Sequence, residues 1–323
     1  MLTYINPILD HDFPDPTVIR ARDGRFYAYA TQTLHTKPAI NIQVAWSDDL
    51  VHWSDPSDAL PTKPTWARTT QEFWSPCVDQ RGATFIMYFA AKSDGGQGQC
   101  LGVATASHPL GPFNDSGAAL VTGNGFVNID PMAFDDLQWG KHYLYWGSGF
   151  EPIKVQELTP DRLHLRAESA PVALVAPCDN RRYERLVEGG FIHYHEPFYY
   201  LFYSGDDCFS AAGSYAVMVA RSLSATGPFE TLAQATCGAH SAILEGNDRW
   251  GLPGHNSVIT DAAGQDWIVY HAVDLARDGQ RLAEAPQSVP RVMCMDQLFY
   301  HDGWPYVNGG SPSQIPQAAP AVA

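Results

Sequence analysis

The sequence has little of what several large protein classes need. Only 17% of its 323 residues are charged, and basic ones are scarce: 20 Lys and Arg stand against 35 Asp and Glu, a net charge of −15. A surface of that sign repels nucleic acid and anionic membranes, so neither is expected as a partner. No apolar run is long enough to span a bilayer as a helix. The opening, Met1-Leu-Thr-Tyr-Ile-Asn-Pro, lacks the basic start and apolar core of a signal peptide. A cytoplasmic location is therefore expected, unless a leader has been removed. The six cysteines, at 77, 100, 178, 208, 237 and 294, never form Cys-x-x-Cys. They are too scattered for a disulfide framework or a zinc ligand set, and are expected as buried free thiols. Helical periodicity of useful length is also missing.

What is present is turn chemistry and aromatic residues: 27 Gly, 24 Pro and 12% aromatics, the composition of a turn-rich all-β domain. One phrase recurs, in which a polar turn precedes a short apolar run and an aromatic-rich run follows. It is clearest at Asn128-Ile-Asp-Pro-Met-Ala-Phe with Lys141-His-Tyr-Leu-Tyr-Trp-Gly-Ser. Pro14-Asp-Pro-Thr-Val-Ile leads to Phe26-Tyr-Ala-Tyr-Ala-Thr, and Phe73-Trp-Ser-Pro-Cys-Val to Thr84-Phe-Ile-Met-Tyr-Phe-Ala. Val187-Glu-Gly-Gly-Phe-Ile leads to Phe198-Tyr-Tyr-Leu-Phe-Tyr-Ser, and Gly254-His-Asn-Ser-Val to Asp266-Trp-Ile-Val-Tyr-His-Ala. The copies recur about every 60 residues, a propeller period rather than a solenoid one. Each continues into two further short strands. Runs such as Tyr199-Tyr-Leu-Phe-Tyr are apolar on both faces, as befits a strand between neighbouring sheets. The expectation is all-β: a five-bladed β-propeller of four short antiparallel strands per blade, one domain over 1–323. The segment 311–323 has no periodicity and is expected as a loose tail. Ring closure must bring the ends together, with Asn6-Pro-Ile-Leu completing the last blade.

In a propeller the innermost strands line a central funnel, and polar groups at their starts converge. Asp15, Asp130 and Glu188 stand at what read as equivalent points in three of the units. Singly each has an ordinary explanation. Asp15 between two prolines and Asp130 before Pro131 are good turn residues. Glu188, flanked by Val187 and Gly189-Gly190, is less ordinary for a solvated group. Together they suit glycoside hydrolysis, in which one carboxylate activates water and one carboxylic acid protonates the leaving oxygen. A third acid can raise the pKa of its neighbour by like-charge repulsion.

At these residues the sequence resembles glycoside hydrolase family 43. The marks are Asn6-Pro-Ile-Leu with Phe13-Pro-Asp-Pro-Thr-Val-Ile, Phe73-Trp-Ser-Pro, Ile129-Asp-Pro, Val187-Glu-Gly, Gly254-His-Asn-Ser-Val and Gly303-Trp-Pro. The resemblance implies a five-bladed enzyme acting on arabinose- or xylose-containing saccharides with inversion, its base and acid carboxyls about 6.5–9.5 Å apart. It implies Asp15 as general base, Glu188 as general acid and Asp130 as the residue that tunes and orients Glu188. Removal of α-L-arabinofuranose from arabinan chain ends is the leading expectation. β-Xylosidase, endo-1,5-α-L-arabinanase and a non-catalytic sugar-binding propeller are the alternatives.

Other residues carry open readings. Trp74 is a core aromatic or packs on the sugar. Arg291 is paired with a pocket acid or is a solvated end, and the resemblance places it near Asp130 or the sugar hydroxyls. Phe13, with His11 and Asp12, is expected on the pocket rim, as are the loops 178–186 and 205–214. Trp46, Trp53, Trp139 and Trp304 are expected between blades. His255 in a turn is most simply structural. The resemblance also implies that it faces the channel and helps hold calcium through water, although one imidazole suits calcium poorly. Gly189-Gly190 departs from the family pattern and is expected to loosen the pocket floor.

Overall fold

A computed structural model of the chain describes residues 2–96, 98–208 and 214–322. Five antiparallel sheets follow one another along the chain, each ordered as its strands occur in sequence. Blade one is Thr17–Arg20, Phe26–Ala30, Gln43–Ser47 and Ser57–Asp58. Blade two is Phe73–Arg81, Thr84–Lys92, Gln99–Ala106 and Asn114–Asp115. Blade three is Met132–Asp136, Lys141–Trp146, Ile153–Glu157 and Val172–Val175. Blade four is Val187–His195, Phe198–Asp206, Tyr215–Ser222 and Glu230–Thr231, with Ala242–Leu244 added on its third strand. Blade five is Trp250–Thr260, Asp266–Asp274, Val292–His301 and Trp304–Val307. The fold is thus the five-bladed β-propeller of four antiparallel strands per blade, and it is only 7% helical.

The aromatic second strands explain how blades stack. Phe26–Ala30 and Asp266–Asp274 are buried along their whole length, because one face meets the preceding blade and the other the next. Their tyrosines also carry a hydroxyl that must find a partner when buried. Tyr29 of blade one donates to the Pro109 carbonyl in blade two, and Tyr88 of blade two to the Arg162 carbonyl in blade three. Tyr145 of blade three donates to Ala225 in blade four, and Tyr200 of blade four to Gly303 in blade five. Each acceptor lies in the turn after the third strand of the following blade. Such a bond contributes about 0.5–1.5 kcal/mol net, so its larger use is to fix the register of blade on blade. Tyr270 of blade five breaks the series. It donates to Asp296 of its own blade, and Asp296 also accepts from Asn6 and the Ser313 backbone.

Both chain ends are drawn into that closure. Leu9 bridges Met293, so Asn6-Pro-Ile-Leu runs along the third strand of blade five, as the closure argument required of the last blade. The segment expected as a loose tail is instead held in place over its described residues, 311–322. Gln317–Ala318 pairs with Thr3–Tyr4, Ala321 accepts from Ala262, and Val322 accepts from Arg20 of blade one. Periodicity could not reveal this, since the segment is held by a two-residue strand pair and by scattered bonds from distant side chains such as Asn247, Trp250 and Asp261. A ten-residue helix, Leu275–Glu284, was also missed. It is short and largely polar, but Asp274 caps it by accepting from the Ala276 and Arg277 amides. All six cysteines are free. Cys77, Cys100 and Cys294 are buried as expected, whereas Cys178 and Cys208 are half-buried and Cys237 is exposed. Trp46, Trp53 and Trp304 pack in or against interblade clusters. Trp139 does not: it is 73% exposed, in the turn after Asp136.

Candidate active site

Each blade brings one residue to the funnel in the left-handed backbone region: Asp15 (φ 58°), Ser75 (48°), Asp130 (59°), Gly189 (60°) and His255 (48°). Asp15 and Asp130 lie two residues before an innermost strand, and Ser75, Gly189 and His255 lie within one, where the strand register slips. Bulged, left-handed residues turn a side chain out of the pleat and towards a site. Four of the five amides meet a side-chain acceptor. Asp15 donates to His271 Nδ1, Ser75 to Thr31 Oγ1, Gly189 to Asp130 Oδ2 and His255 to Ser204 Oγ. The pattern corrects one expectation. Asp15 and Asp130 are equivalent, but the equivalent residue in blade four is Gly189, and Glu188 precedes it by one.

The three acids nevertheless line one cavity of about 1080 Å³, together with Trp74, His255 and Arg291. A buried chain of hydrogen bonds joins them in ring order. The Thr31 hydroxyl donates to Asp15, the Ser75 amide to Thr31, the Ser75 hydroxyl to Asp130 (2.5 Å), and the Gly189 amide to Asp130 (2.9 Å).

Their charge states differ. Burial alone would raise Asp15, but the Arg291 guanidinium 3.2 Å from its Oδ1, followed by His255 and His271, outweighs it. The carboxyl is held well below the usual carboxylate range. Burial and then Arg291 push His271 down to about 4, so it is neutral near neutral pH and the standing positive charge is that of Arg291. Glu188 goes the other way. Burial and then the charge of Asp130 push it up to about 7. Burial also pushes Asp130 up, against its Ser75 bond and with the charge of Asp15 adding. The two acids differ in their hydrogen-bond partners. Asp130 accepts an amide N–H, a donor that cannot reverse. Glu188 meets Ser148 Oγ (3.0 Å) and Tyr215 Oη (2.8 Å). The Ser148 hydroxyl can turn and accept from a protonated carboxyl. Asp130 is thus fixed by a one-way donor on one oxygen, whereas both partners of Glu188 are hydroxyls, and burial holds both acids towards their neutral forms.

The remaining candidates sort clearly. Trp74 is half-buried, packed on one side against the cluster between blades two and three and lining the cavity on the other. Arg291 is paired with a pocket acid, Asp15, and its charge also acts to lower the pKa of Asp130. Phe13 is not on the rim: it is 0% exposed, in the core between blades one and five. Its amide is bonded to the Arg291 carbonyl, which fixes the turn that sends Asp15 to the cavity and Phe13 away from it. His11 pairs with Asp55 at the surface and is not part of the lining, but Asp12 is. Asp179, Arg185, Leu186 and 206–208 line the cavity, as expected of the two rim loops, of which 209–213 lie outside the described residues. Gly189-Gly190 does not loosen the floor. A Cβ on Gly189 would stand 3.2 Å from the His255 ring, and one on Gly190 3.1 Å from Ile153.

His255 brings one imidazole, whose Nδ1 lies 3.4 Å from Asp15 Oδ1. Calcium takes about six to eight oxygens. Here the acid oxygens are engaged and a guanidinium stands beside them. The set does not fit calcium, and His255 is placed as a partner of Asp15.

Sequence reasoning missed Thr31, Ser148, Ser204 and His271. All four lie within or just after the aromatic second strands, where a polar residue recurs after an apolar run. That repeat was the available signal. The exposed rim pair Phe126 and Phe150, with ring centroids 6.0 Å apart, had none.

A funnel that holds one carboxylate beside a guanidinium and another pushed towards its neutral form has the two groups that glycoside hydrolysis uses. The sequence model of glycosyl hydrolases family 43 matches residues 4–305, and the chain belongs to that family of arabinanases, arabinofuranosidases and xylosidases. It is 28% identical to a β-D-galactofuranosidase of Aspergillus niger over 92% of this chain and 82% of that one. It is 27% identical to an extracellular exo-α-(1→5)-L-arabinofuranosidase of Cellvibrio japonicus, over 92% and 86%. A thermostable family-43 glycoside hydrolase of known structure superposes with a TM-score of 0.78 at 26% identity, covering 98% of this chain and 99% of that one.

Proposed function

We propose that the protein is an inverting exo-α-L-arabinofuranosidase acting on arabinan or its oligosaccharides. The observation that carries the hydrolytic reading is the meeting of three carboxyls in one cavity with different surroundings: Asp15 stands 3.2 Å from the Arg291 guanidinium, while Glu188 meets only hydroxyls and is pushed up by burial and by Asp130. Asp15 takes a proton from the attacking water as its oxygen bonds to the anomeric carbon. Glu188 gives its proton to the glycosidic oxygen as that bond breaks. Asp130 keeps Glu188 protonated and held in place, and is not consumed. Trp74, at the cavity wall, offers a ring face to the sugar. The arabinofuranoside preference draws on the two furanosidases named among the relatives.

The test is product analysis on linear arabino-oligosaccharides, with nitrophenyl arabinofuranoside and nitrophenyl xyloside alongside. Monomer as the first product, with inverted configuration in the first proton NMR spectra, is expected. Retained configuration would sink the assignment of Asp15 as a base. Faster xyloside cleavage would move the specificity to xylose. A second reading, endo-cutting arabinanase, is favoured by the cavity volume of about 1080 Å³, more than a single sugar fills. Mixed oligomers early in the reaction would select it.

A further inference from the structure

His193, His195 and Asp266 lie at the other end of the innermost strand that begins near Glu188. Five to seven residues of strand separate them from the acid, on the order of 20 Å. Their potential ligand atoms all lie within 4.8 Å of one another. From these residues we infer a zinc-class divalent-cation site that joins blades four and five on the face of the ring away from the cavity.

Several features build the site. His193 and His195 are two apart on the strand Val187–His195, so both rings stand on one face. Asp266 opens the second strand of blade five and is buried. Its Oδ2 lies 2.9 Å from His193 Nε2 and 3.2 Å from His195 Nδ1. Two ligands of a tetrahedral ion with bonds of about 2.0–2.1 Å stand roughly 3.3 Å apart, so the donors are already near the required spacing. The carboxylate is aimed from both sides. Thr260 donates to Oδ1 at 2.6 Å, and Tyr300 donates to Oδ2 at 2.8 Å. The His195 ring is held by stacking on Tyr300, with centroids 3.7 Å apart.

Without an ion, His193, His195 and Tyr300 all direct a donor at the single oxygen Oδ2. A carboxylate oxygen offers two lone pairs, so one of the three is poorly served. A cation in place of the two imidazole protons resolves this: each ring then presents a lone pair, and Tyr300 keeps its bond to the carboxylate. Two imidazole nitrogens and one carboxylate oxygen select zinc, cobalt or nickel over calcium and magnesium. The His195 side chain is 43% exposed, which leaves the fourth position to water. The ion would clip two neighbouring blades together, without entering the hydrolytic chemistry.

Cobalt(II) and zinc(II) added to chelator-dialysed protein test this. The expected result is one Co²⁺ per chain with the visible d–d absorption of a four-coordinate nitrogen and oxygen site, displaced by Zn²⁺, and a higher Tm with zinc. His195→Ala, at a half-exposed position, should weaken uptake at least tenfold and abolish the Tm shift, with nitrophenyl-glycoside turnover unchanged. Cobalt bound by the accessible cysteines would instead give near-ultraviolet thiolate charge transfer in both proteins. No d–d signal in the wild type, or equal uptake by wild type and His195→Ala, overturns the inference and leaves a hydrogen-bonded cluster only.

Discussion

The two halves of the cavity solve opposite problems with the same functional group. On the side of blades one and five, Asp15 faces Arg291, His255 and His271. On the side of blades three and four, Glu188 faces Ser148, Tyr215 and the buried Asp130. Asp15 is buried and Glu188 half-buried, and desolvation pushes both towards neutrality. Only Asp15 has a permanent cation to resist it. The comparison teaches that neighbouring charge, rather than depth of burial, separates a base from an acid here.

The largest effects should come from removing each acid in turn. Asp15→Asn should lower turnover by about 10³–10⁴-fold on every substrate, since no group remains to take the proton from water. Glu188→Gln should cost a similar factor on arabino-oligosaccharides but much less on dinitrophenyl arabinofuranoside, whose leaving group needs no proton. Steady-state kinetics on the two substrate types checks the asymmetry. Equal losses on both substrates in both variants would erase the distinction between the halves.

The pH profile should report the two halves separately. Activity needs Asp15 ionised, so the acid limb follows its folded pKa, which lies below the usual carboxylate range. Activity also needs Glu188 protonated, so it falls as pH rises through about 7. Arg291→Met removes the cation that holds Asp15 down. The acid limb should then move to higher pH, with a loss of about 10²-fold in kcat/KM at pH 5 and little change in the basic limb. A shift of the basic limb alone would mean that Arg291 acts on the Glu188 half.

Much of this was legible in the sequence, for a physical reason. A propeller repeats its interblade packing, so its aromatic strands recur, and the period and polar turns locate the blades. Asp15 and Asp130 could be picked out because each sits in such a turn, and Glu188 because an acid between Val187 and Gly189-Gly190 is unusual for a solvated group. What could not be read was direction. Phe13 and Asp15 are two residues apart, yet a left-handed turn sends one into the core and the other into the cavity. The one-residue offset of Glu188 from Asp15 and Asp130 depends on φ at Gly189, which the glycine permits without announcing. The tail at 311–322 escaped because it is held mainly through its own backbone, by Thr3–Tyr4 and by side chains of distant residues such as Asn247, Trp250 and Asp261, which leaves no pattern in its own sequence.

The subtlest test falls on the residue between the two halves. Ser75 donates its hydroxyl to Asp130 and its amide to Thr31, which in turn donates to Asp15. The hydroxyl bond favours the ionised form of Asp130. Ser75→Ala keeps the amide bond but removes the hydroxyl, so Asp130 should bind a proton more readily. A protonated Asp130 no longer repels charge on Glu188, and the Glu188 pKa should fall. The expected outcome is a basic limb moved to lower pH, with less than about tenfold loss at the optimum, consistent with one hydrogen bond. The acid limb, set by Asp15 and Arg291, should stay in place. Movement of both limbs together would show that the hydrogen-bonded chain couples the halves more strongly than their separate partners divide them.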